Sequence, residues 1–169
     1  MKLNVRKMVL ASLFASLMAI CAWISLPVPP VAVTLQTFGV LLTLGVLGGK
    51  WGSVSILLYL ALGIVGIPVF SGFRGGVSAL LDATGGFLWG FAAGGLVYWL
   101  TEKLGKLPAF VLCQLVCYAC GCLWFSVWAG GVGMVSAAMT CVVPYLIPDG
   151  IKLWLACRLS ARIKKHLQY

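Results

Sequence analysis

Charge is what this chain has least of. Of its 169 residues only three are acidic, and charged residues of both signs make up 9%, against about a quarter in a soluble domain. Hydrophobic residues reach 62% and the mean hydropathy is +1.09, which excludes an ordinary soluble globular domain. Histidine is nearly absent too. The single one, His166, stands close to the C-terminus, so no Ser-His-Asp arrangement and no histidine-rich metal site can be assembled. A phosphate loop is also lacking. Gly45-Val46-Leu47-Gly48-Gly49-Lys50-Trp51-Gly52 has neither the first glycine at the required spacing nor a Ser or Thr after the lysine. Energy from ATP must therefore come from another protein, and the residues read as those of a binding protein and not an enzyme. Seven cysteines, an odd number in apolar settings, argue against a disulfide framework. Cys113, Cys117 and Cys120 share a helical face but have no His, Asp or Glu nearby, so they read as small packing residues and not as a metal site.

What the chain has instead is hydrophobic runs. Six can be marked, at 8–26, 35–48, 51–66, 85–101, 108–128 and 147–163, each a candidate membrane span. Together they form one all-α integral membrane domain over 1–169. The first run follows Lys2, Arg6 and Lys7 and is long enough to be a retained helix and not a cleaved leader. The second and third meet in a tight turn at Gly48-Gly49-Lys50. Joining 129–143 to the last run would give a helix of about 45 Å, too long for a hydrocarbon core of about 30 Å. Pro144 and Pro148 supply the break, with a short helix before them and the last span after.

The net charge of +9 follows from topology and does not mark a nucleic-acid surface. With six spans and both termini cytoplasmic, Lys2, Arg6, Lys7, Lys50, Lys103, Lys106, Arg158, Arg162, Lys164 and Lys165 all fall on one side. Only Arg74 falls on the other, as the positive-inside rule expects. The three outer connections, 27–34, 67–84 and 129–143, are nearly uncharged and rich in Gly, Pro and aromatics. Irregular backbone at membrane depth survives only against protein or a water-filled cavity, so these loops are expected to fold inward over a pocket.

Two charges remain inside the last span. Asp149 and Lys152 sit at i, i+3 on one helix face, and each costs roughly 2.5–3.5 kcal/mol at a helix centre in lipid. They read as a ligand-binding pair facing the outer cavity. Arg74, among glycines in Phe70-Ser71-Gly72-Phe73-Arg74-Gly75-Gly76, is either a ligand contact or a partner for Asp82. Asp82 itself reads as the N-cap of the fourth span. Thr34 and Gln36 are either capping residues or donors and acceptors for a polar ligand head group. Ala11, Ala15 and Ala19 recur every four residues, a spacing that serves close packing within the chain or docking of a second membrane protein.

Four stretches bring these residues to a family. Pro27-Val28-Pro29-Pro30-Val31 with Thr34-Leu35-Gln36-Thr37-Phe38 is the first. Leu58-Tyr59-Leu60 with Gly63, Gly66, Pro68, Val69 and Phe70 is the second. Thr84-Gly85-Gly86-Phe87-Leu88 with Gly90 is the third, and Pro144, Tyr145, Asp149 and Lys152 are the fourth. In this order they resemble the BioY family, the biotin-specific substrate-binding components of energy-coupling-factor (ECF) transporters. Two departures stand out: Asp82-Ala83 where the family usually has Gly-Pro, and Ile147-Pro148 where Pro-Gly is common before the acid.

The resemblance implies a six-helix fold in the cytoplasmic membrane that binds biotin near its outer face. A transmembrane coupling subunit and two ATPase subunits are the implied partners. It favours the docking reading of Ala11 and Ala15. Biotin has a ureido ring, an apolar thioether ring and a carboxylate. Asp149, Lys152, Arg74, Gln36 and Thr34 would meet its polar ends, and Phe70, Phe73 and Tyr145 its apolar middle; which cation takes the carboxylate stays open. The alternatives are a binding component for another vitamin, thiamine or riboflavin, and a membrane-embedded enzyme. No cofactor or metal is implied.

Overall fold

The computed structural model describes residues 5–26 and 32–167. Lys2 and the proline loop from Pro27 to Val31 lie outside the described residues. Helix α1, Val5–Trp23, has 19 residues, enough to span about 28 Å. A two-stranded antiparallel pair follows, β1 at Ser25–Leu26 and β2 at Val33–Thr34.

Helix α2, Gln36–Ile64, contains 29 residues but is not straight. Gly48 adopts φ 77°, ψ 171°, a conformation open to glycine and strained for other residues. Beyond it the chain turns back, so that a Cβ on Gly52 would lie 2.9 Å from the Leu44 Cα. Eight residues of straight helix would separate the two by about 12 Å. The two limbs are the second and third spans of the sequence. Glu102, from the connection after α4, closes the turn, its Oε2 accepting the Gly49 N–H at 2.7 Å. At the far end of the hairpin Gln36 Nε2 donates to the Tyr59 hydroxyl at 2.7 Å.

A five-residue helix α3, Val77–Leu81, precedes α4, Gly85–Thr101, and α5, Lys106–Trp128. Gly86, Gly90 and Gly94 form a stripe on α4 that lets α5 approach closely. A Cβ on Gly90 would come within 2.9 Å of the Cys117 Cα, and one on Gly94 within 2.9 Å of the Cys113 Sγ. Cys117 also donates from Sγ to the Gly90 carbonyl at 3.2 Å. These cysteines are small side chains seated against glycine. Helix α6, Met134–Cys141, ends in a 3₁₀ turn at Val143–Tyr145, and α7 runs over Leu146–Leu167. Pro144 lies in that turn and Pro148 in the first turn of α7, where a missing N–H breaks no ladder.

Six crossings result: α1, the two limbs of α2, α4, α5 and α7. Their outward surfaces carry exposed Leu13, Leu57, Trp89, Leu100, Leu115 and Ile151, a lipid-facing pattern. Three contacts gather one end of the bundle. Arg6 Nη2 donates to the Leu167 carbonyl at 2.9 Å, Lys106 Nζ to Ser160 Oγ at 3.2 Å, and Gly49 to Glu102 as above. The chain's first and last described turns, Lys50, Lys103 and Lys106 therefore share that end, as the charge split requires.

Of the two readings of the alanine stripe, the structure shows the packing one. Ala11, Ala15 and Ala19 are 2%, 0% and 5% exposed, covered by α2 of the same chain. The Ala11 carbonyl accepts the Ser55 hydroxyl at 2.7 Å. The stripe serves internal packing and offers no free docking face in this structure.

Candidate functional site

The helix ends opposite the basic one enclose a cavity of about 470 Å³, inside the roughly 300–1,000 Å³ typical of small-molecule sites. Phe70, Phe87, Phe91 and Tyr145 supply apolar wall. Phe70 reaches its place because Gly63 has no side chain: a Cβ there would stand 2.0 Å from the Phe70 ring. The second limb of α2 thus receives the outer loop, and the Tyr59 hydroxyl donates to the Val69 carbonyl at 3.1 Å.

Asp149 is the hub of the buried polar group. It sits in the first turn of α7, where the helix dipole favours an anion. Its Oδ1 accepts from Lys152 Nζ at 2.7 Å and from Thr37 Oγ1 at 3.2 Å. Its Oδ2 accepts from the Tyr118 hydroxyl at 2.7 Å and from Gln114 Nε2 at 3.2 Å. A carboxylate has about four acceptor positions, so the protein itself fills Asp149. Lys152 has three N–H donors and places one on Asp149, while its side chain lines the cavity. The acid therefore anchors, and the lysine is the charge with donors to spare. Three helices converge here: Thr37 from α2, Gln114 and Tyr118 from α5, and Asp149 and Lys152 from α7.

The second polar group lies at the rim. Arg74 donates from Nη1 to Asp82, from Nη2 to Thr84 Oγ1 at 3.3 Å and from Nε to the Ser71 carbonyl at 3.1 Å. Of the two open readings of Arg74 the structure shows the pair with Asp82, and both residues line the cavity. The N-cap expected of Asp82 is not formed. Thr84 holds the N-cap position of α4 without a side-chain cap bond, and Asp82 Oδ1 instead accepts the adjacent Ala83 N–H at 2.7 Å. The Asp82 backbone carbonyl does the capping, accepting the Gly85 N–H at 2.9 Å.

Thr34 and Gln36 also line the cavity. Thr34 Oγ1 accepts the Gln36 N–H at 3.2 Å, a local cap. Phe73 does not join the wall. Its ring stacks on Trp23 at 5.1 Å and is 64% exposed, because a positive φ of 56° turns it outward.

Gln114, Tyr118 and Thr37 were missed in the sequence, although a signal existed. Gln114 is the one amide between 108 and 128, and Tyr118 follows at i+4. Both share a turn with Cys113 and Cys117, whose spacing is more conspicuous.

A helical membrane protein with a ligand-sized cavity, apolar in its walls and charged at its base and rim, is a small-molecule binding component. The chain belongs to the BioY family, whose model matches residues 1–169. It is 36% identical over 165 residues to the biotin transporter BioY of Thermotoga maritima, covering 95% of this chain and 96% of that one. It is 35% identical over 162 residues to the probable biotin transporter BioY of Pyrococcus horikoshii, covering 96% and 98%. Its fold resembles the crystal structure of the S-component for biotin from an ECF-type ABC transporter, with a TM-score of 0.88 over 96% of this chain and 92% of that one, at 23% identity.

Proposed function

We propose that this chain is the biotin-binding subunit of an ECF-type vitamin importer in the cytoplasmic membrane. A transmembrane coupling subunit and two ATPase subunits would supply the energy. The observation that carries the reading is the cavity with Lys152 held by Asp149 at its buried base, in a chain that matches the BioY family along its whole length.

Biotin's ureido oxygen is a strong acceptor, and Lys152 has two N–H donors beyond the one on Asp149. The ureido N–H groups need acceptors. Asp149 has no free position, so the Gln36 carboxamide oxygen and the Thr34 hydroxyl, both lining the cavity, take that role. Phe70 and Tyr145 flank the thioether ring. The valeric tail then extends toward the rim, where Arg74 keeps two of its five N–H donors beyond Ser71, Asp82 and Thr84 for the carboxylate.

Isothermal titration of the purified, folded chain tests this reading. Saturable biotin binding that thiamine and riboflavin do not displace is expected; no binding, or displacement by either vitamin, contradicts it.

A further inference from the structure

Beyond the rim lies an open cleft. It is lined by Arg74, Gly75, Ser78, Leu81, Asp82 and Trp128, together with Ala79. Arg74, Ala79, Asp82 and Trp128 line the inner cavity as well, so the two spaces share a wall. The Arg74–Asp82 pair stands in that wall, with side chains 44% and 37% exposed.

We infer that this cleft is a second subsite, one that receives the amino-acid head group of biotin joined by an amide to the side-chain amine of lysine. The inference rests on the reading of the inner cavity as the biotin site. With the ureido ring held at Lys152, the tail points toward the more exposed end, and a longer tail passes the Arg74–Asp82 pair into the cleft.

Charge complementarity selects the occupant. The wall presents one cation and one anion side by side, the mirror of an amino acid's ammonium and carboxylate. Arg74 spends three N–H donors on Ser71, Asp82 and Thr84 and keeps two for a carboxylate. Asp82 accepts from Ala83 and Arg74, which leaves about two of its acceptor positions for an ammonium. A carboxylate alone would meet Arg74 beside the like charge of Asp82. A zwitterion satisfies both partners.

The test uses the full chain in detergent and three probes: free biotin, the lysine ε-amide of biotin, and biotin butylamide, whose tail is uncharged. Wild type is expected to bind the lysine amide about tenfold more tightly than the butylamide. Asp82→Asn removes that preference. Ser78→Trp fills the cleft from a position outside the inner cavity; it weakens the lysine amide about tenfold and leaves free biotin within about threefold of wild type. Equal affinity of wild type for the two amides overturns the inference, as does a lysine amide indifferent to Ser78→Trp. Failure of free biotin to bind wild type overturns the inner-site reading instead, so the two failures are separable.

Discussion

The cavity is bounded by two acid–base pairs of nearly the same composition and opposite construction. Asp149 and Lys152 are 7% and 9% exposed in their side chains, and three further donors hold the acid. Asp82 and Arg74 are 37% and 44% exposed, and their neighbours are a hydroxyl and backbone groups. Burial sets what each pair is for. A buried pair is costly to assemble and strongly destabilising to break, because the survivor is left uncompensated. An exposed pair contributes about 0–1 kcal/mol, so it can exchange partners without loss of the fold. The inner pair is a fixed base of the cavity, and the outer pair is a rim whose contacts can exchange.

The largest effect is expected from Asp149→Ala. It leaves the Lys152 ammonium buried without its anion, and stability falls by about 3–5 kcal/mol, measured as a lower thermal midpoint in detergent, with biotin binding lost. The double variant Asp149→Leu with Lys152→Met sharpens the comparison: the midpoint recovers while binding does not. Lys152→Met alone comes next. Asp149 keeps Thr37, Gln114 and Tyr118, so the fold holds, while the lost charged hydrogen bond to the ligand costs about 1.5–3 kcal/mol, read by calorimetry as a ten- to hundredfold rise in Kd. Tyr118→Phe removes one of the two donors on Asp149 Oδ2, at about 1–2 kcal/mol of stability on the same thermal scale. The smallest effect is expected from Asp82→Asn, below about 1 kcal/mol in stability. A loss as large as that of Asp149→Ala would erase the distinction between the pairs.

The sequence showed the inner pair because charge inside an apolar span is conspicuous, and it showed the spans and their orientation because lysines and arginines crowd one side. The hairpin at Gly48 was visible in the paired glycines. What surrounds Asp149 was harder to read. Gln114 and Tyr118 meet it from a different helix, and their i, i+4 spacing in the fifth span stands beside the more conspicuous spacing of Cys113 and Cys117. The Ala11–Ala15 spacing reports close approach but not the identity of the neighbour, and α2 proved to be that neighbour. Asp82 looked like a cap because it precedes a helix, yet its carboxylate was drawn to Arg74, eight residues earlier, across a loop whose course depends on Gly63 admitting Phe70.

The most direct measurement is a paired titration of biotin into the intact wild-type chain and into Lys152→Met, at equal protein concentration and with the fold of each verified by its thermal midpoint. One saturable site is expected in the wild type and at least about tenfold weaker binding in the variant. Equal affinity in the two chains would contradict it, because the lysine that Asp149 holds at the base of the cavity would then carry none of the recognition.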